Sequence, residues 1–577
     1  MFRCFTEHLQ NGLFDTVTSL STARQERLET SWAGEFYHEV FCRLDETLFA
    51  PLYADIPSRP NIPVNRLVGI EILKSGYGWS DEELFDHLNF DLQVRYALGV
   101  RELESEICTL RTIYNFRRRV SQYMQTTGKD PFAAVFAQIT DEQLAALHLD
   151  TRQQRMDSTQ VGSNIRQYSR LRLVLEVLQR ATRMLSAADQ AQYAALLQPY
   201  VQSNAGQYCY RVTADAYTEH LTQLGQVIAQ LLTAWAPTYA EDPAYRCLAR
   251  VFAEHFTVAD PTAPTTLTVK TPAELSAASL QSPDDPEATY REKQGRGYRG
   301  YVVNVTETCT PDNPLQLITA VQVAPNTSDD QDLLVAALPD LDARMPLSDL
   351  HTDGGYVGPA ATRAAQAAGV NLHPTAIRGA QPDPEQLGLA EFIWEGDADV
   401  PTQVTCPHDQ TVPLTPGRVV GRYRAAFTAS TCADCPLRER CPAQPRKRQP
   451  VRTLLVTQRQ IEVAQLRQVC AATASGPPHL RPPVEATMRS VKHPFGDERA
   501  QLPVRGQRRI TMLLTGVAMM VNLRRIWRYR ITERAKTSQE TANLAGETLL
   551  SRWRQRLPNL WRRFNPAGFS RYAPTWC

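Results

Sequence analysis

The chain has almost no net charge: 62 lysine and arginine residues meet 61 acidic ones, leaving +1 over 577 residues. Binding to a polyanion therefore cannot be argued from the total and has to come from local charge. Long apolar runs are missing as well. The most apolar stretch, from Ile510 to Leu523, falls short of the roughly 20 residues that span a bilayer. The opening residues, Met1-Phe2-Arg3-Cys4, lack the apolar segment of a secretory leader. The expectation is a soluble, cytoplasmic protein with no membrane contact. Cysteine is sparse, at 12 residues that mostly stand alone, which excludes a small disulfide-framed fold and fits a reducing compartment. There is no internal repeat and no long low-complexity tract.

Local contrasts carry more information. From Arg505 to Cys577 there are 15 lysine and arginine residues against 3 glutamates and no aspartate, so the carboxy-terminal part is the basic part. Up to about residue 150 the pattern is helical. Phe36, Val40 and Leu44 recur every four residues, Ser80 and Glu83 form a capping box, and a basic helix from Thr109 to Val120 carries Arg111, Arg117, Arg118 and Arg119. Helical spacing continues through Leu171, Leu175 and Leu178, then Leu221, Leu224, Val227 and Leu231. The texture changes after Ser282-Pro283-Asp284-Asp285-Pro286. Tyr301, Val303 and Val305 alternate, Pro311 to Pro314 turns, and Leu317 to Val323 resumes, which predicts a hairpin. A helix opened by Ser328 and Gln331 is expected to stop at Pro339, followed by a short strand from Leu347 to Thr352 and a helix from Pro359 to Ala368. Hairpin, helix, strand, helix is an α/β series.

Three acids stand out. Asp157 lies in Met156-Asp157-Ser158-Thr159, Asp353 opens an Asp-Gly-Gly-Tyr turn, and Glu485 stands between Arg481 and Lys492. Singly, each aspartate reads as a cap or turn residue. Together the acids are a set able to hold two Mg²⁺ or Mn²⁺ ions, which prefer hard oxygen ligands and clamp the attacking and leaving oxygens of an in-line displacement at phosphorus. Val484, Met488 and Val491 predict a helix after Pro482-Pro483 that puts Lys492 on nearly the same face as Glu485. Arg481 and Lys492 are suited to phosphate oxygens. His351 shares Asp353's face and reads as a structural histidine.

These residues, with Asp285-Pro286-Glu287-Ala288 and Cys432-Ala433-Asp434-Cys435, resemble the insertion-sequence DDE transposases with an RNase H-like core, in the branch with a spaced Tyr-Arg-Glu-Lys signature. Pro478 stands at the signature's tyrosine position, and the contiguous Tyr290-Arg291-Glu292-Lys293 is a decoy because it lacks the helical spacing. The resemblance implies Asp157, Asp353 and Glu485 as catalytic metal ligands, Arg481 and Lys492 as contacts to DNA phosphate, and a homodimer or larger synaptic assembly on inverted-repeat ends and target DNA, in the cytoplasm with the nucleoid. It also implies an α/β RNase H-like fold: a helical amino-terminal DNA-binding domain (1–150), the first core strand (151–165), a mostly helical insertion (166–285), the catalytic core (286–400), a small zinc-ribbon-like insertion (401–447), completion of the core (448–535) and a basic tail (536–577).

Cys406, Cys432, Cys435 and Cys441 form the one dense group of thiols. With His408 as a substitute for one of them, they could close a tetrahedral Zn²⁺ site, or remain reduced and unliganded. In the tail, Trp553, Trp561, Phe564 and Tyr572 interleave with Arg552, Arg554, Arg556, Arg562 and Arg563, a mixture suited to stacking and phosphate contact or to a solvated segment. A metal-dependent nuclease without strand transfer, and a DNA-binding protein that keeps the scaffold without catalysis, are the alternatives.

Overall fold

The computed structural model describes residues 2–6, 8, 15–54, 61–102, 106–259, 266–293, 295–376, 383, 385–397, 400–447, 449–474, 480–496 and 501–564, with side chains omitted at 397, 400, 472–474 and 540–564. Seven α-helices, α1 to α7, occupy Thr22 to Ala146 among the described residues. Strand β1 (Gln153–Gly162) follows, and six further helices, α8 to α13, fill Arg170 to His255. A hairpin of β2 (Phe256–Val258) and β3 (Leu267–Val269) leads out of them. Next come β4 (Thr289–Lys293), β5 (Arg296–Thr308), β6 (Ile318–Pro325), α14 (Asp330–Arg344), β7 (Asp349–Thr352), α15 (Pro359–Ala367) and β8 (Asn371–Pro374).

These strands form one sheet in the order β4-β5-β1-β7-β8, with β6 on the same flank of β5 as β4. Strand β5 runs antiparallel to β1, β4 and β6, whereas β7 is parallel to β1 and β8 is parallel to β7. The alternation of Tyr301, Val303 and Val305 turns all three into one buried face. The other face carries Met156 and Leu350 and is covered by α14 and α15.

Pro339 does not stop α14. The helix runs on to Arg344 with the proline inside it, started by Asp329 at the N-cap. Leu333, Leu334, Leu338 and Leu341 are buried in it, the last three against the sheet, and that packing outweighs the one backbone hydrogen bond a proline removes. Arg344, paired with Asp141 at 2.7 Å, fastens the far end.

The long helix α19 (Gln507–Phe564) covers the Tyr301 face. It crosses α3 (Val64–Tyr77) closely: a Cβ on Gly76 would stand 2.2 Å from Met520 Cγ, and one on Gly516 2.9 Å from Ser75 Cβ. The amino-terminal helices, this sheet face and α19 thus share one apolar core. The helices after β1 have their own, around Leu224, Ile228 and Trp235. A third core lies in a six-stranded antiparallel sheet of β9 (Ile393–Asp397), β10 (Val400–Thr405), β11 (Thr411–Pro416), β12 (Arg422–Thr428), β13 (Gln444–Pro445) and β14 (Val451–Thr457). It is larger than the small ribbon expected from the cysteines, and helices α16 (Ala429–Ala433) and α17 (Gln458–Ala474) accompany it. Helix α18 (Val484–Lys492) then returns to β1. No described helix is long and apolar enough to cross a membrane.

Candidate functional site

Side chains on a strand alternate between faces, and in β1 this divides the chemistry cleanly. Ser158 turns towards α14 and donates to Asp330 Oδ1 at 2.7 Å. Arg155, Asp157 and Thr159 turn to α18 and the segment before it. Arg155 Nη1 donates to the Leu480 carbonyl at 3.0 Å, Arg481 Nη2 to Asp157 Oδ2 at 2.7 Å, and Lys492 Nζ to Thr159 Oγ1 at 2.9 Å. The predicted helix after the two prolines is present, so both cations of the Arg-Glu-Lys spacing reach β1.

Asp353 follows the last residue of β7. The parallel register pairs Gln153 with Asp349 and Arg155 with His351, and Asp353, in the turn just past the strand, comes close enough to Asp157 for its charge to act on that carboxyl. A tight turn holds it, in which the Gly355 amide donates to Asp353 Oδ1 at 2.7 Å. Burial raises the Asp157 carboxyl above the ordinary range; Arg481 and the Ser158 amide pull the other way, and the Asp353 charge adds to the rise. Glu485, more than half exposed, joins through Arg481, whose Nη1 lies 3.2 Å from Glu485 Oε1. One guanidinium therefore ties the first acid to the third. The three carboxylates are hard oxygen donors suited to Mg²⁺. Among the described residues, however, no three of His, Cys, Asp and Glu, the acids and the cysteines alike, are grouped so as to hold a metal ion.

Beneath this site lies a network that no motif announced. Glu307, opposite Arg155 in the β1–β5 register, is fully buried and pairs with Arg155 and Arg525 at 2.7 Å each. It also accepts from Thr487 Oγ1 at 2.7 Å. Strand β1, α18 and α19 are thereby fastened to one carboxylate, through residues two positions from Asp157 and from Glu485. The one sequence signal was a charge at the inward phase of the Tyr301, Val303, Val305 alternation. The Asp285-Pro286-Glu287 turn, which the sequence did single out, makes a second network. Asp285 accepts from Tyr301 Oη at 2.6 Å and from the Gly506 amide at 2.9 Å, and Glu287 accepts from the Gln507 amide at 3.0 Å, so the turn pins the start of α19.

Residues 27–119 match the family model described as Transposase domain (DUF772), and residues 405–527 match the one described as Transposase DDE domain. The chain carries transposase domains of the insertion-sequence DDE kind. The second match contains the cysteines, α18 with Glu485 and the first third of α19, while Asp157 and Asp353 lie outside both. No curated protein and no solved structure matches the chain significantly.

The other expected residues of the transposase fall variously. Cys406, Cys432 and Cys441 pack around the third core, and burial raises the Cys432 thiol, with Cys441, Cys406 and Cys435 close enough to add to the rise. His408 is exposed. His351 stacks on His373, ring centroids 4.8 Å apart. The Tyr290 to Lys293 decoy is strand β4, where Arg291 donates to backbone carbonyls of Asn326 and Ser328. Several arginines of the basic stretches are internal struts: Arg117 pairs with Glu71 and Asp81, Arg524 donates to the Gly76 carbonyl, and Arg530 pairs with Glu35 and Glu39. Pro478 and Tyr572 lie outside the described residues, and Arg552, Trp553, Arg554, Arg556, Trp561, Arg562, Arg563 and Phe564 outside the described side chains.

Proposed function

We propose that this transposase binds the terminal inverted repeats of its element, cleaves a DNA strand and directs the resulting 3′-hydroxyl at target DNA. The observation that carries the proposal is that the turn after β7, parallel neighbour of β1, brings the Asp353 charge close enough to raise the Asp157 carboxyl, with Arg481 linking Asp157 to Glu485. Sheet order supports an RNase H-like core: β6, β5 and β1 run antiparallel, β7 and β8 continue parallel to β1, and β4 pairs with β5 as an addition.

Asp157, Asp353 and Glu485 would hold two Mg²⁺ or Mn²⁺ ions, which supply positive charge to the attacking and leaving oxygens of the phosphodiester. In cleavage a water oxygen forms a bond to phosphorus and gives its proton to solvent, while the bond from phosphorus to the 3′-oxygen breaks and that oxygen takes a proton from solvent to become a 3′-hydroxyl. In transfer the freed 3′-hydroxyl oxygen bonds to a target phosphorus and gives its proton to solvent, while the bond from that phosphorus to the target strand's 3′-oxygen breaks and the leaving oxygen takes up a proton. Arg481 neutralises Asp157 and Glu485 and carries a planar fork of donors that matches phosphate oxygens. Lys492, steered by Thr159, adds a second cation beside the same strand. Cys406, Cys432, Cys435 and Cys441 would hold a structural Zn²⁺ that braces the second sheet.

Asp157→Ala, Asp353→Ala and Glu485→Ala are each expected to abolish Mg²⁺-dependent nicking of a plasmid carrying the element's ends while end binding persists in a mobility-shift assay. Retained nicking in any of the three refutes the assignment. Joining of a pre-cut end separates strand transfer from simple hydrolysis.

A further inference from the structure

Where α3 and α6 (Leu110–Thr127) of the amino-terminal block meet the first turn of α19, a cleft of about 480 Å³ opens to solvent. Six cationic side chains line it: Lys74, Arg117, Arg118, Arg505, Arg508 and Arg509. Their internal partners are soon used up. Arg117 is taken by Glu71 and Asp81, Lys74 lies 3.4 Å from Asp81, and Arg505 lies 3.4 Å from Asp284. Arg118, Arg508 and Arg509 form no ion pair among the described residues, and the first turn of α19 contains no acid to offset its two arginines. Other half-buried arginines are paired with acids, as at Arg344, Arg525 and Arg530. Glu71 and Asp81 also line the cleft, so six cations there face two acids, and the surplus positive charge repels itself unless an anion from outside lies among the arginines.

We propose that this cleft grips the phosphate backbone of duplex DNA at a distance from the bond that is cut. Strand β1 gives the direction. Asp157 is at the cutting site, Thr159 and Lys492 come next along the strand, and Asn164, just beyond its end, lines the cleft and accepts from Arg505 Nε at 2.6 Å. Seven residues of extended chain reach on the order of 20 Å, or about six base pairs at 3.4 Å of axis each. The cleft therefore meets the same duplex about half a helical turn from the reacting phosphate. Arginine suits the task, since its fork takes two oxygens of one phosphate.

The inference rests on the transposase reading only in naming duplex DNA as the anion. It is tested with the full chain carrying Arg118→Ser, Arg508→Ser and Arg509→Ser together, by fluorescence anisotropy on a labelled duplex of arbitrary sequence over a series of KCl concentrations. Affinity is expected to fall at least about tenfold, and the slope of log K against log salt to become shallower by roughly 0.9 for each phosphate that is no longer neutralised. Arg246→Ser, an exposed arginine of the helical insertion, should leave both unchanged. An unaltered slope in the triple variant, or an equal loss in Arg246→Ser, overturns the proposal. If the triple variant does not fold, Arg118→Gln alone, exposed on α6, reads the same slope. Wild-type protein that never nicks DNA while the cleft variants lose binding would sink the catalytic reading and leave the cleft standing; nicking by wild type with normal binding by the variants would do the reverse.

Discussion

Glu307 is a single carboxylate with no exposed surface that serves two guanidinium groups and a threonine. Removing one member of a buried ion set leaves the others short of counter-charge, at about 3–5 kcal/mol. Glu307→Gln is therefore expected to lower stability to chemical denaturation by that order, whereas Glu485→Gln, on an exposed side chain, changes it by less than about 1 kcal/mol; equal effects would contradict the network. Asp157, Asp353 and Glu485 stood out in the sequence because each stands in a turn or spacing that chemistry recognises. Glu307 was not, because a lone glutamate in a strand has no motif and its partners come from β1, α18 and α19. His255 offers a pH test. Burial, then the charges of Arg170 and Lys270, hold its pKa down at about 4, from the ordinary 6.5. A group with a lowered pKa of this sign is neutral in the fold, so its contribution is complete above pH 6.5 and is lost as pH falls towards 4, up to about 3 kcal/mol. Wild-type melting should drop across that window and His255→Asn should be flatter; parallel curves would clear His255 of the effect.

At the scale of elements, apolar spacing located α18, β7 and the β5–β6 hairpin, since each buries a face whose period the residues repeat. The proline rule failed at Pro339 because the length of α14 is decided by the sheet beneath it and not by the helix alone. Sheet order could not be read at all, because β1 and β5 are separated by α8 to α13 and pairing carries no local mark. The α3–α19 crossing was equally silent, as it depends on two glycines remote in sequence. Gly76→Val should force these helices apart and cost about 1–3 kcal/mol, seen as a lowered melting temperature. An unchanged melting temperature would show that the crossing can relax around Met520. The cysteine spacing was legible as a group and so was β12, since Val419 to Phe427 reads as a strand, but the other five strands were not, because strands from Ile393 to Thr457 with exposed outer faces resemble loops in composition. Cys432→Ser with Cys435→Ser is expected to reduce the zinc content of purified protein, measured by atomic emission; zinc-free wild type would dismiss the metal.

For the whole molecule, the helical insertion and the core meet at a narrow neck. Ser163 Oγ donates to Asp285 Oδ2 at 2.5 Å, so the chain leaves and re-enters at nearly one point, and the insertion's apolar cluster is its own. Replacing residues 166–283 by a short Gly-Ser linker should leave the remaining chain folded, with reduced helix signal in circular dichroism and retained protection of β1 and β5 amides in hydrogen exchange. Loss of that protection would mean the insertion supports the sheet. The amino-terminal helices are the opposite case, because their apolar residues interlock with α19 and the sheet as one body. Jaw and blade are cast in a single piece. A DNA end seized by that block would arrive at Asp157 with its offset already fixed, so the interval between the bases read and the bond severed would behave as a ruler built into the protein.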